Sequence, residues 1–169
     1  VRSGDYEGAI KPLARTITLG GGDGGIYGLL GFAYLNRGQY VSAEAAYRQA
    51  ALFDPDNLDF KLGLVKCQIA QANYDAALAL LDELIQRHPD RDVFWRYQVN
   101  IFILREQYAR AAVNYEILRR MDKAQPDDLM KLGDIYLMRE SKELALSAYQ
   151  AAFEKDPQNA TLALKAADV

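Results

Sequence analysis

Apolar residues recur at alternating three- and four-residue spacings along most of the chain, in stretches of about a dozen residues separated by short polar turns such as Asn36-Arg37-Gly38-Gln39. This spacing places the apolar side chains on one face of a helix, and pairs of such stretches predict antiparallel helix hairpins. The pattern repeats. Ala9, Ala43, Ala77, Ala111 and Ala145 fall 34 residues apart without a gap, and two further columns share the phase. One holds Tyr6, Tyr40, Tyr74 and Tyr108, the other Leu13, Tyr47, Leu81, Tyr115 and Tyr149. Three columns in one register are hard to produce by composition alone and mark internal repeats.

With Gly24 as origin, four full units are expected at 24–57, 58–91, 92–125 and 126–159. Residues 1–23 would form the second helix of a partial unit and residues 160–169 the start of another. Asp54-Pro55 and Asp156-Pro157 disfavour continuation of the preceding helix and so set where the next hairpin begins. Pro12 stands inside the first helix, where a kink or a weak helix is expected. Small residues at Gly31, Gly133 and the alanine columns should let helix backbones approach, with tyrosines and leucines filling the space between hairpins. Leu162, Leu164 and Ala166 would have no following helix to cover them. Together with a first residue that is not methionine, this suggests a chain that continues at both ends in its parent protein, or a homo-oligomer formed through these terminal half-units.

The unit resembles the tetratricopeptide repeat, whose pattern is an aromatic, Leu-Gly, Tyr, Ala, an aromatic and a closing Pro. The first unit carries Tyr27, Leu30-Gly31, Tyr34, Ala43, Tyr47, Ala50 and Pro55. The fourth carries Leu132-Gly133, Tyr136, Ala145, Tyr149, Ala152 and Pro157, with Leu129 for the first aromatic. The second keeps Leu64, Ala77, Leu81 and Pro89 but has Val65 for the glycine. The third keeps Trp95, Phe102, Ala111 and Tyr115 but has Gln98-Val99 and Lys123 at the Leu-Gly and Pro columns. The resemblance covers essentially the whole chain. It implies an all-α fold, a right-handed superhelical solenoid of antiparallel helix hairpins, and a non-enzymatic scaffold for proteins. The alternative is a structural, self-associating segment of a larger protein.

The same resemblance implies a partner groove lined by the first helices of the hairpins. It would take Phe32 and Asn36, with Leu29 and Leu35, from the first unit, and Leu62, Lys66 and Ile69 from the second. The third would add Arg96, Tyr97, Asn100 and Ile103, and the fourth Met130, Lys131, Asp134 and Met138. A helix or extended peptide with apolar anchors and one or more acidic groups would complement such a surface. The subfamily that clamps a terminal carboxylate finds its closest counterparts here in Arg96, Asn100, Lys131, Thr161 and Lys165, two of them wrong in type, so that clamp is not expected.

Composition narrows the classes. Twenty Lys plus Arg against 23 Asp plus Glu, interspersed, offer no basic patch for nucleic acid or an anionic membrane. No apolar run is long enough to span a bilayer, and no direct membrane insertion is expected. Gly20, Gly22 and Gly25 have dinucleotide-loop spacing but no preceding strand, so they read as a turn. With His88 the only histidine, a multi-histidine metal site is excluded. The lone Cys67 shares its column with Ala33 and Ile101 and reads as a buried thiol. Asp82-Glu83 and Asp127-Asp128 read as solvent-facing or helix-capping pairs. No catalytic residue, cofactor or metal is expected. A bacterial setting is expected, with cytoplasm and periplasm both open.

Overall fold

A computed structural model describes residues 6–169. The described residues form ten α-helices and no strand, and they divide into two compact units that meet at Leu80 and Leu81. The first contains α1 (Tyr6–Thr18), α2 (Gly24–Asn36), α3 (Tyr40–Phe53), α4 (Leu58–Ala70) and the beginning of α5 (Tyr74–Arg87). The second takes the rest of α5, then α6 (Asp92–Leu104), α7 (Tyr108–Arg120), α8 (Pro126–Met138), α9 (Lys142–Lys155) and α10 (Ala160–Ala167).

Helix starts and turns repeat with the 34-residue period. Asp23, Asn57 and Asn159 stand just before α2, α4 and α10, and their side chains accept backbone N–H groups at 2.8 to 3.3 Å. These contacts satisfy donors that a helix start leaves open. The turns inside the hairpins place Gly38, Ala72, Glu106 and Glu140 in one column, all with φ between 56° and 71°. Only the first is a glycine. Backbone bonds across each turn, such as Gln39 N–H to the Tyr34 carbonyl at 2.9 Å, hold the other three in the same left-handed conformation. The third repeat, residues 92–125, closes without proline. There Asp122 takes φ 54°, and Ala124, only 2% exposed, tucks in before α8.

In the first unit α2 packs on α3, α3 on α4 and α1 on α2; in the second α6 packs on α7, α7 on α8, α8 on α9 and α9 on α10. The alanine column forms the hairpin seams, and Ala43, Ala77, Ala111 and Ala145 are fully buried. Gly31 and Gly133 play a different part from the one expected of them. A Cβ on Gly31 would meet the Tyr47 ring at 2.9 Å, and one on Gly133 would meet the Tyr149 ring at 2.5 Å. The glycines seat aromatic rings, not a second backbone. Gly63 does the same on the other side of Tyr47, at 2.5 Å.

α1 carries Pro12 within it and runs to Thr18 with none of its residues fully buried, while the other end differs from expectation. Leu162 is 1% exposed because α10 lies against α9 and turns this side chain inward, whereas Leu164 remains 63% exposed. Cys67 is fully buried beside Ala43 and Tyr47, and burial pushes its thiol pKa up to about 11. Such a thiol has little thiolate near neutral pH and little reactivity.

Candidate partner-binding clefts

Each unit contains a cleft floored by the first helices of its hairpins. In the second unit a cleft of about 420 Å³ is bounded by α6, α7 and α8. It gathers Arg96, Asn100, Ile103, Lys131, Asp134 and Met138, all read from the sequence as groove residues, and adds Val99, Tyr108, Tyr115 and Ile135. Tyr97 is half-buried and does not line it. Met130 lines a separate cleft of about 230 Å³ with Pro126, Asn159 and Leu162.

The charged groups of the larger cleft are each paired within the chain. Arg96 donates to Asp92 at 3.1 Å, to Asp128 at 2.7 Å and to the Lys123 carbonyl at 2.7 Å. Burial works against its charge, but the hydrogen bonds to the two carboxylates outweigh that and raise its pKa. Lys131 pairs with Asp127 at 2.5 Å, and Asp134 accepts Lys165 at 2.5 Å and the Tyr149 hydroxyl at 2.6 Å. The cations suggested as approximate carboxylate ligands therefore already hold carboxylates of their own chain, Asp127 and Asp128 among them. Burial, reinforced by Asp128 and Asp127, pushes Tyr115 up to about 12 and keeps it a neutral phenol. What faces outward is Met138, 66% exposed, and Asn100, whose amide makes no hydrogen bond among the described residues. This arrangement can grip an apolar side chain and hydrogen-bond a neutral polar group.

In the first unit a cleft of about 320 Å³ brings Phe32, Leu62 and Lys66 together with Gly28, Tyr47, Asp59, Phe60 and Gly63. Asn36 turns away and donates to its own helix at the Phe32 carbonyl, 2.8 Å. Phe32, 48% exposed, stacks edge-on against Tyr6 with ring centres 5.7 Å apart. Tyr47, Asp59 and Gly63 were not singled out as groove residues, because they are separated in sequence and meet only when α3 returns against α4.

A polar cluster beneath these surfaces was also missed. Gln98 donates to Asp82 at 2.5 Å and accepts from Asn114 at 2.9 Å, and Gln98 and Asn114 are each 5% exposed. Among the described residues no group of three or more His, Cys, Asp or Glu side chains is placed to hold a metal, and no helix is long and apolar enough to cross a membrane.

Two family models, both described as tetratricopeptide repeat, match residues 37–98 and 98–160. The Arabidopsis thaliana protein SULFUR DEFICIENCY-INDUCED 1 is 34% identical over 61 residues, which are 36% of this chain and only 20% of that relative. Among solved structures, MamA from Desulfovibrio magneticus RS-1 superposes with a TM-score of 0.77 at 16% identity, covering 94% of this chain and 89% of that one. YrrB, a TPR protein with an unusual peptide-binding site, gives 0.73 at 18% identity, covering 98% and 84%. At such identities the likeness establishes the fold, the helical-repeat superhelix class read from the sequence. Proteins of this kind are in general non-enzymatic scaffolds. With hairpins, period and family models in agreement over most of its length, this chain belongs to the tetratricopeptide repeat family.

Proposed function

We propose that this chain is a protein-interaction scaffold that holds a segment of a partner against the first helices of its hairpins, with the cleft of the second unit as the main anchor. The observation that carries this reading is the cleft of about 420 Å³ in which Arg96, Asn100, Lys131, Asp134 and Met138 converge with apolar walls while every charge among them is matched internally. A pocket of that size accepts one or two apolar side chains of a peptide. Pairing of Arg96 and Lys131 shifts the preferred occupant from an acidic peptide to an apolar one, with an amide or backbone group facing Asn100. YrrB, as a TPR protein with a peptide-binding site, supports the choice of a peptide.

Peptides selected from a random display library on the intact chain should bind the double variant Asn100→Ala, Met138→Lys about tenfold more weakly, the loss usual for a central contact. Circular dichroism should remain unchanged, since both side chains are exposed. Selected peptides that bind parent and variant equally would place the partner elsewhere and remove this reading.

A further inference from the structure

The tyrosines of the two glycine seats end in different surroundings. In the second unit the Tyr149 ring rests on Gly133, its hydroxyl donates to Asp134, and Lys165 both pairs with Asp134 and lies over the ring at 5.5 Å. Tyrosine, carboxylate and ammonium form a closed set. In the first unit the Tyr47 ring rests on Gly31 in the same way, but the residue 102 positions before Lys165 is Gly63. No ammonium comes from that position. The Tyr47 ring end lies against Gly63, its side chain is buried apart from 6%, and its hydroxyl has no hydrogen-bond partner among the described residues. Asp59 lines the same cleft with no ion pair among the described residues, and it is close enough to add to the burial that pushes Tyr47 up to about 12.

We infer that the first-unit cleft binds a basic side chain, arginine or lysine, from a partner protein, its charged head between the Asp59 carboxylate and the Tyr47 hydroxyl oxygen and its methylene stem along Phe60 and Phe32. The partner thus supplies the cation that Lys165 supplies internally in the second unit. Charge complementarity gives the direction. Lys66 is the other charged group of the cleft, seven residues along α4 from Asp59 and so about 10 Å away on the same face. It repels a cation at its own end and leaves the Asp59 end as the seat. Aromatic walls favour a guanidinium, which stacks as well as pairs. This inference rests on the reading of the chain as a partner-holding scaffold, but on a different cleft.

The test is a titration of the isotopically labelled intact chain, followed by amide NMR, with acetyl-Ala-Phe-Arg-Ala-amide and with the same peptide carrying citrulline or glutamate in place of arginine. The arginine peptide should shift the amides of Gly28, Asp59 and Gly63 and bind at least about fivefold more tightly than the citrulline peptide, the increment of a charge-assisted contact. Asp59→Asn should abolish that difference. Tyr47→Phe should reduce it while leaving the melting temperature unchanged, because the lost hydroxyl has no internal partner. Equal binding of arginine and citrulline peptides, preference for glutamate, or absence of any titratable shift would overturn the inference. A fall in melting temperature for Tyr47→Phe would do the same by revealing an internal partner. Shifts confined to Asn100 and Met138 would also overturn it, yet leave the second-unit anchor standing; conversely, failure of the Asn100 and Met138 variant to weaken selected peptides would leave the arginine site intact.

Discussion

Replacing Tyr149 by alanine is expected to cost about 3 to 5 kcal/mol of unfolding free energy, the range for deleting a buried aromatic side chain. The ring is fully buried and seated against Gly133, so the backbone of α8 has no side chain with which to fill the space left behind. Its hydroxyl holds Asp134 at 2.6 Å, and Asp134 in turn holds Lys165, so the substitution also loosens α10 from α8. Tyr149→Phe separates these effects. It keeps the packing and removes one charge-assisted hydrogen bond whose acceptor is partly exposed and retains Lys165, for a loss of about 1 kcal/mol. Urea unfolding followed by far-ultraviolet circular dichroism measures both. A loss below about 1 kcal/mol for the alanine variant would mean that the seat collapses without cost.

The second large effect concerns the hydrogen-bonded chain Asp82–Gln98–Asn114, whose two amide side chains are buried. Asn114→Ala deprives the Gln98 carbonyl oxygen of its donor in a place shut off from water, and should cost about 2 to 3 kcal/mol. The double variant Gln98→Leu, Asn114→Ala should recover most of that. It installs the apolar pair that the chain already uses in the same columns, Leu30 with Ala46 and Leu132 with Ala148, all of them buried. Asp82 then loses Gln98 but lies at the surface, where water replaces it. A double-mutant cycle should show a coupling of more than about 1 kcal/mol. Additive losses would show that the three side chains do not act as one network. A half-satisfied polar pair is worse than an apolar one, and a complete pair fits only its own register.

These two sites mark how far the sequence could be read. Hairpins, their links and the alanine seams follow from spacing alone, because periodicity reports which face of a helix is buried. The glycine columns were visible as columns, but whether a glycine admits a backbone or a ring depends on a residue sixteen positions away on the returning helix, Tyr47 for Gly31 and Tyr149 for Gly133. Gln98 was visible as a departure from leucine, yet its partners Asp82 and Asn114 lie on two other helices. Arg96 and Lys131 looked available because their charge is evident in the sequence and their neutralisation is not. Asp128, which holds Arg96, lies 32 residues away. Likewise Ala72, Glu106 and Glu140 take a left-handed backbone that only Gly38 announces. Local pattern decides what kind of element forms; the pairing of groups brought together from distant positions decides what its surface offers.

The internal pairing around the second-unit cleft also bears on how fast a partner arrives. Arg96, Lys131 and Lys165 are set against Asp92, Asp127, Asp128 and Asp134, three positive charges against four negative within one small region. Opposed at contact distance, they leave only a weak field a Debye length away, about 8 Å at physiological ionic strength. Encounter with this cleft is therefore governed by diffusion and shape, with little long-range steering, and its association rate should change little between low and high salt. Selectivity at this cleft then resides in how long a partner stays, not in how quickly it is drawn in.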